Sequence, residues 1–353
     1  MPYKTRIKNL QKTLGEKGCD ALLIENLVDI LYLTGCDLSL GKVLVTPRTA
    51  RLIVDSRYYD SCKKHSPIPT RLLDKETLEK ELASLKVDIL GFDADHTPYQ
   101  QYKNLRKLPV ALKALNHPLA ALRMVKDSKE IQALRDAAAL GSEGFDYIAK
   151  LLKPGITEME IAVELEIFWK RKGSKALAFD PIIAFGANSA IPHYHPGPVK
   201  LKKGMPVLID IGVNYKHYHS DMTRVLFCGK PDKKMVEIYG IVLKAQELAL
   251  AQCSPGMRIA DLDKTARAYI ESQGYGKQFS HSLGHGVGLE IHEAPGIRSA
   301  CKKSEKLEKG MVITIEPGIY IPGTGGVRIE DTVVITKNGC ENLTNRSKEL
   351  TVI

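Results

Sequence analysis

The pattern of apolar and polar positions changes character about a third of the way along the chain. Over residues 4–18, apolar side chains recur at helical spacing (Ile7, Leu10, Leu14), which predicts an amphipathic helix. Short apolar runs follow at 21–24, 42–46, 51–55 and 87–91, most of them separated by turn-forming residues. Helix-like and strand-like segments alternating in this way predict a small α/β domain. Around 108–123 the text becomes LPVALKALNHPLAALR, with Pro109 and Pro118, and a domain boundary is placed near residue 123.

The remainder, 124–353, has a different rhythm. Asp127 with Glu130, and Thr157 with Glu160, have the spacing of N-terminal capping boxes. They predict helices running to about Leu152 and Gly173. Strand-like text follows residue 180. Helical text returns over 232–253 and 259–273, and strands return after 310. The order helix, helix, strands therefore occurs twice. Local matches align the two passes: KLLKPGITEMEIA (150–162) with AQCSPGMRIADLD (251–263), HYHP (193–196) with HEAP (292–295), KGMPVLIDIG (203–212) with KGMVITIEPG (309–318), and SDMT (220–223) with IEDT (329–332). Ordered matches at nearly constant offset imply a duplicated α+β half and a pseudo-twofold domain.

The repeat sets Asp210 opposite Glu316, Asp221 opposite Glu330, and His193 opposite His292. Carboxylates inside apolar strand runs are costly to bury unless paired or bound to metal, which singles out Asp210 in VLIDI and Glu316 in VITIE. Asp210 and Asp221 are symmetric about Tyr215-Lys216, and Glu316 and Glu330 about Gly323. Hairpins turning there would make each pair cross-strand neighbours within roughly 5 Å. Two carboxylates that close repel unless a cation holds them. Seven of the ten histidines fall between 193 and 292, and His285 stands in Gly284-His-Gly-Val-Gly288, where flanking glycines would permit close approach to a metal. Four oxygen ligands and one imidazole suit Mn²⁺, Co²⁺ or Fe²⁺ better than a structural zinc. His65, His96 and His117 lie outside this region and read as ordinary surface or core residues. His217 and His219 flank the first hairpin turn.

Composition narrows the class without naming the chemistry. The 353 residues carry 51 Lys and Arg against 41 Asp and Glu, a formal +10. The excess is spread along the chain with no interleaved aromatic platform, so nucleic-acid binding is not expected. No stretch approaches the roughly 20 apolar residues needed to cross a bilayer, and the N-terminus has no apolar signal-peptide core. A cytoplasmic protein with no membrane partner is expected. The seven cysteines are widely spaced with no CxxC pair, which predicts reduced thiols rather than a disulfide framework or Cys-ligated zinc.

Residues 124–353 resemble the creatinase/aminopeptidase "pita-bread" metallopeptidases. The motifs that carry the resemblance are LIDIG with Asp210, YHSDMTR with Asp221, HSLGHGVGLEIHE with His285, ITIEPG with Glu316 and VRIED with Glu330. These five positions match the family's dinuclear-metal ligands one for one. Residues 1–123 resemble the creatinase-like N-terminal domain of the proline-specific branch. The resemblance implies a pita-bread catalytic domain over 124–353 and a smaller α/β domain over 1–123. It implies two divalent metals per chain, with Mn²⁺ first and Co²⁺, Zn²⁺ or Fe²⁺ as alternatives, and a homodimer. His193 would contact the scissile amide, His292 would stabilise the tetrahedral intermediate, and Glu316 would shuttle the proton as well as bind metal. His281 and Arg328 would belong to the substrate pocket, although Arg328 serves equally as a salt-bridge partner of the ligating acids.

The expected activity is that of an Xaa-Pro aminopeptidase, acting on peptides with proline in second position. An Xaa-Pro dipeptidase (prolidase) is the alternative. Some resembling prolidases place an arginine directly after HE-x-P, where this chain has Gly296, with Arg298 two residues on. A non-catalytic binding module on the same fold is a remote third reading, set against by the intact ligand set.

Overall fold

The computed structural model describes residues 2–302 and 304–353. The chain divides into two compact units, Met1–Arg123 and Met124–Ile353.

The first unit is built on β1 (Ala21–Ile24), β2 (Lys42–Val45), β3 (Ala50–Val54), β4 (Thr70–Leu72), β5 (Ile89–Asp93) and β6 (Ala111–Leu115). They form one six-stranded sheet in the order β4-β3-β2-β1-β5-β6. Strands β1, β5 and β6 run parallel, while β1, β2 and β3 are antiparallel neighbours. All four residues of β1 are buried, as its uninterrupted apolar run requires of a strand covered on both faces. Helices α1 (Pro2–Thr13), α2 (Leu27–Thr34), α3 (Ser56–His65), α4 (Thr77–Ser84) and α5 (Tyr99–Leu105) connect or cover the strands, and α6 (Ala120–Met124) runs up to the division.

The second unit contains α7 (Ser128–Ala149), α8 (Glu158–Arg171), α9 (Lys233–Gln252) and α10 (Ile259–Ser272). Asp127 and Glu130 close a reciprocal capping box on α7, and Thr157 and Glu160 do so on α8. Between α8 and α9 lie β7 (Ala176–Leu177), β8 (Ile182–Phe185), β9 (Pro206–Ile211), β10 (Val213–Tyr215), β11 (Tyr218–His219) and β12 (Met222–Phe227). After α10 come β13 (Gly284–Gly286), β14 (Glu293–Ile297), β15 (Val312–Ile315), β16 (Gly318–Ile321), β17 (Gly325–Arg328), β18 (Asp331–Ile335), β19 (Cys340–Asn342) and β20 (Thr351–Val352). Strands β8, β9 and β12 pair antiparallel in one sheet, and β13, β15 and β18 do so in another.

The duplication extends to backbone detail. Gly155 and Gly256 both take positive φ (97° and 90°), as do Gly173 and Gly274 (88° and 87°) and Gly204 and Gly310 (86° and 93°). Gly155 N–H donates to Leu201 O at 2.9 Å, and Gly256 N–H to Leu307 O at 2.8 Å. Leu201 and Leu307 then return bonds to Ile156 O and Met257 O, each at 2.8 Å. Two segments about a hundred residues apart thus repeat the same turn, chirality and ladder. Each half packs its helix pair on its own sheet, with Trp169, Ile183, Val207 and Ile209 in one apolar core and Leu262, Ala266, Ile313 and Val333 in the other.

One register differs from the sequence expectation. The first hairpin turns on Lys216 and His217, with positive φ of 52° and 72°, so Tyr215 pairs with Tyr218 and Asp210 with Thr223. Asp221 therefore lies diagonal to Asp210 rather than opposite it. Two consecutive positive-φ residues are ordinarily signalled by Asn-Gly or Gly-Gly, and Lys-His carries no such signal. The second hairpin follows the expected symmetry about Gly323, with Gly318 opposite Arg328 and Ile321 opposite Gly325.

Candidate metal centre

Thr223 is the seam of the site. It pairs with Asp210 on one side, and on the other an isolated bridge joins it to Glu330. Its hydroxyl donates to Glu330 Oε2 at 2.7 Å. The two halves of the repeat thereby meet, and they bring their acids to a cleft of about 430 Å³. Asp210, Asp221, His285, Glu316 and Glu330 all line that cleft, as do His193, His281, His292 and Arg328. His285 Nε2 lies 3.4 Å from Asp221 Oδ2 and 3.4 Å from Glu316 Oε1. One donor atom each from Asp221, His285 and Glu330 lie within 4.8 Å of one another.

His285 is fixed through its backbone. Its N–H donates to Thr314 Oγ1 at 3.0 Å, and Thr314 Oγ1 donates to Glu316 Oε1 at 3.1 Å. Strand packing requires glycine on both sides of His285. A Cβ at Gly284 would stand 2.1 Å from Thr314 O, and one at Gly286 would stand 2.4 Å from Ala294 O.

The electrostatics are those of crowded, buried acids. Burial pushes Asp221 up to about 6 and Glu316 up to about 7. Glu330 is pushed well above the usual carboxylate range by burial and then by the charges of Asp221, Glu316 and Asp210. Burial disfavours a charged His285, but Asp221 and Glu316 outweigh it and raise the imidazole to about 9. Asp210 supplies the direct test of fit. Arg328 holds its Oδ2, while its buried Oδ1 has no hydrogen-bond partner. A buried carboxylate oxygen left unpaired beside three further carboxylates and an imidazole fits a site for hard or borderline divalent cations.

The remaining expected residues divide by what they touch. Arg328 is 3% exposed and bonds to Thr223 Oγ1, Tyr320 Oη and Asp210. Its guanidinium thus makes the salt bridge to a candidate ligand that the sequence allowed, while Arg328 also lines the cleft. His281 Nδ1 bonds to the Ser282 carbonyl and Nε2 to Tyr320 Oη, both at 2.8 Å. A carbonyl only accepts, so Nδ1 carries the proton and Nε2 receives one from tyrosine. Burial, then the charge of Arg328, lower His281 to about 4 and keep it neutral. His281 lines the cleft with both nitrogens hydrogen-bonded to protein. His292 stacks edge-on against His285 with centroids 4.4 Å apart, and burial lowers its pKa. His193 stands on the opposite repeat at the same cleft.

Glu158 was not anticipated. It lies in the first turn of α8, where an acid reads as a partner for the helix dipole. Its side chain is instead fully buried and accepts from Phe185 N (2.7 Å), Asn188 Nδ2 (2.9 Å), Tyr194 Oη (2.8 Å) and Gly197 N (3.1 Å). It thereby ties down both ends of the loop that carries His193. The only sequence signal for it is the repeat itself, which aligns Glu158 with the apolar Ile259.

The raised acids set a pH dependence for the metal-free protein. Between roughly pH 4 and 7 the folded state keeps protons on Asp221 and Glu316 that the unfolded chain has released. His285 extends the same sign up to about 9. His281, lowered to about 4, acts oppositely, but only below the ordinary histidine value of about 6.5. Above that value His281 no longer opposes the contributions of Glu316 and His285. The Tm of chelator-treated protein is therefore expected to fall between pH 6.5 and 9, and saturating Mn²⁺ is expected to remove the fall. A flat metal-free profile measured by calorimetry would contradict this charge assignment.

Comparison with known proteins agrees with the geometry. Residues 132–337 match the model of metallopeptidase family M24. This chain belongs to metallopeptidase family M24. Residues 6–125 of the M24 protein match the creatinase/prolidase N-terminal domain. A Pyrococcus horikoshii protein named Xaa-Pro dipeptidase is 38% identical over 349 residues, covering 98% of each chain. A solved Xaa-Pro dipeptidase from Bacillus anthracis superposes with a TM-score of 0.97 at 35% identity, covering 99% of this chain and 100% of that one. An X-Pro aminopeptidase from Thermotoga maritima gives 0.89 at 33% identity, covering 97% and 100%. The pita-bread fold with its creatinase-type N-terminal domain is thereby shown, and the M24 protein is a metal-dependent hydrolase. No helix among its described residues is long and apolar enough to cross a membrane. All seven cysteines are free thiols.

Proposed function

We propose that this M24 peptidase is an Xaa-Pro dipeptidase that cleaves the bond between a free N-terminal residue and a C-terminal proline. The observation that carries the reading is full-length similarity, at 35–38% identity, to proteins named Xaa-Pro dipeptidase. It displaces the aminopeptidase as first choice. The place of Arg298 agrees, since its Nε lies 4.0 Å from where a side chain at Gly296 would begin. A cation there supplies a counter-charge for the carboxylate of a dipeptide. The aminopeptidase remains the second reading, favoured by the Thermotoga maritima structure.

Asp210, Asp221, His285, Glu316 and Glu330 would hold two divalent ions, with Mn²⁺ the first choice. Such ions supply Lewis-acid polarisation of the scissile carbonyl and lower the pKa of a water. Glu316 accepts the proton of the attacking water and returns it to the leaving imino nitrogen. His292 and His193, one from each repeat, face the scissile group across the cleft, and His292 donates a hydrogen bond to the developing oxyanion. Proline has no N–H after the scissile bond, so selectivity falls to shape. Phe179, Ile182 and Pro192 offer an apolar wall to the ring. We further propose the cytoplasm as its location and a homodimer as its assembly, on the expectations drawn from the sequence.

A panel of Xaa-Pro dipeptides and matched Xaa-Pro-Xaa tripeptides decides between the readings. Hydrolysis of dipeptides with kcat/KM at least tenfold above that of tripeptides is expected. Preference for tripeptides would return the assignment to the aminopeptidase.

A further inference from the structure

A second cluster of metal-binding side chains lies wholly within the first unit, where none was expected. Strands β5 and β6 are parallel neighbours, in register from Ile89 opposite Ala111 to Asp93 opposite Leu115. Both leave the sheet at the same edge. Asp93 ends β5, His96 stands in the turn that follows, and His117 lies two residues beyond β6. The carboxyl ends of parallel strands form the rim where α/β sheets place ligands.

The side chains at that rim converge. His96 Nδ1 is 2.8 Å from Asp93 Oδ2. Asp95 Oδ2 accepts from the His117 N–H at 3.1 Å and lies 3.5 Å from His117 Nε2. The two imidazoles meet edge-on with centroids 5.6 Å apart. One donor atom each from Asp93, His96 and His117 fall within 4.8 Å of one another. Among the described residues, no lysine or arginine forms an ion pair with Asp93 or Asp95; Asp93 Oδ1 accepts from the Asp95 N–H at 3.1 Å, and the side-chain partners of the two carboxylates are the two histidines. Asp93 is nearly buried, at 7% side-chain exposure, so its carboxylate has little water to balance it.

We propose that Asp93, His96 and His117 bind a divalent transition ion, with Asp95 as a fourth carboxylate beside it. Two imidazoles with one or two carboxylates select zinc, nickel or copper over magnesium or calcium, which favour all-oxygen cages. Donors around a tetrahedral ion at about 2.0–2.1 Å sit about 3.4 Å apart. Asp93 is fixed by the strand, while His96 and His117, 39% and 60% exposed, are free to turn inward to that spacing. Bonds to the ion replace the hydrogen bond between His96 Nδ1 and Asp93 Oδ2. It then ties the turn after β5 to the loop after β6, cross-linking the ends of two adjacent strands.

The test uses the full-length protein and zinc chloride. Crystals grown with stoichiometric Zn²⁺ and measured on either side of the zinc edge are expected to show an anomalous peak bounded by Asp93, His96 and His117, separate from any peak at the catalytic cleft. In equilibrium dialysis the His96→Ala/His117→Ala protein is expected to bind one equivalent of zinc fewer than wild type. Both rings are exposed, so folding is preserved, and unchanged far-UV dichroism checks it. Absence of the peak, or equal zinc content in variant and wild type, overturns the proposal. Neither result depends on the peptidase assignment.

Discussion

A Glu330→Gln protein is expected to lose about 10³-fold or more in kcat/KM while its metal-free form becomes no less stable. The two effects have opposite origins. Glutamine keeps the volume and one oxygen, which still accepts from the Thr223 hydroxyl now 2.7 Å from Glu330 Oε2. It removes one of four acids converging on the candidate centre and so weakens retention of the ions. Loss of positioned charge stabilisation in such sites costs about 10²–10³-fold or more. In the metal-free protein, however, Glu330 is a buried acid pressed by Asp221, Glu316 and Asp210. Removing it relieves that repulsion. Steady-state kinetics with Mn²⁺ and calorimetry after chelation measure the two sides. Wild-type activity would remove Glu330 from the ligand set. A large fall in metal-free Tm would give it a structural role instead.

Asp331→Ala is expected to have the largest effect on stability. Asp331 is fully buried and accepts from Arg224 Nη2 (2.6 Å), Lys348 Nζ (2.8 Å) and Gln246 Nε2 (2.9 Å). Burial opposes its ionisation, but Arg224 and Lys348 outweigh that and lower its pKa. Truncation strands the Arg224 guanidinium, itself 2% exposed. Breaking such a buried pair costs about 3–5 kcal/mol, and for a unit of this size the Tm is expected to fall by roughly 10 °C. Arg224 also donates to the carbonyls of Thr223 and Glu330, so some activity should fall with it. A loss below about 1 kcal/mol in urea titration would show that Lys348 and Gln246 do not hold Asp331 as drawn.

The centre was legible in the sequence because its residues break local rules. Asp210 and Glu316 interrupt apolar strands, and the repeat aligned them. Register was less legible, since two residues of positive φ at Lys216 and His217 shift Asp221 to the diagonal without any glycine to announce it. Roles fixed by side-chain contact were least legible. Arg328 stands two residues before a ligand, yet only three-dimensional neighbours show its guanidinium occupied by Thr223, Tyr320 and Asp210. Glu158 reads as an ordinary first-turn acid until its four donors appear. His96 and His117 are separated by a whole helix and strand, and the parallel pairing that joins them is long-range.

The bridge between Thr223 and Glu330 has a bearing on when activity can begin. The five proposed ligands come from both repeats, so neither half carries the proposed centre alone. A chain still emerging from the ribosome, before the second repeat has been made, holds at most Asp210 and Asp221 in place. On the proposed ligand set, activity therefore begins only once the two halves have closed on each other.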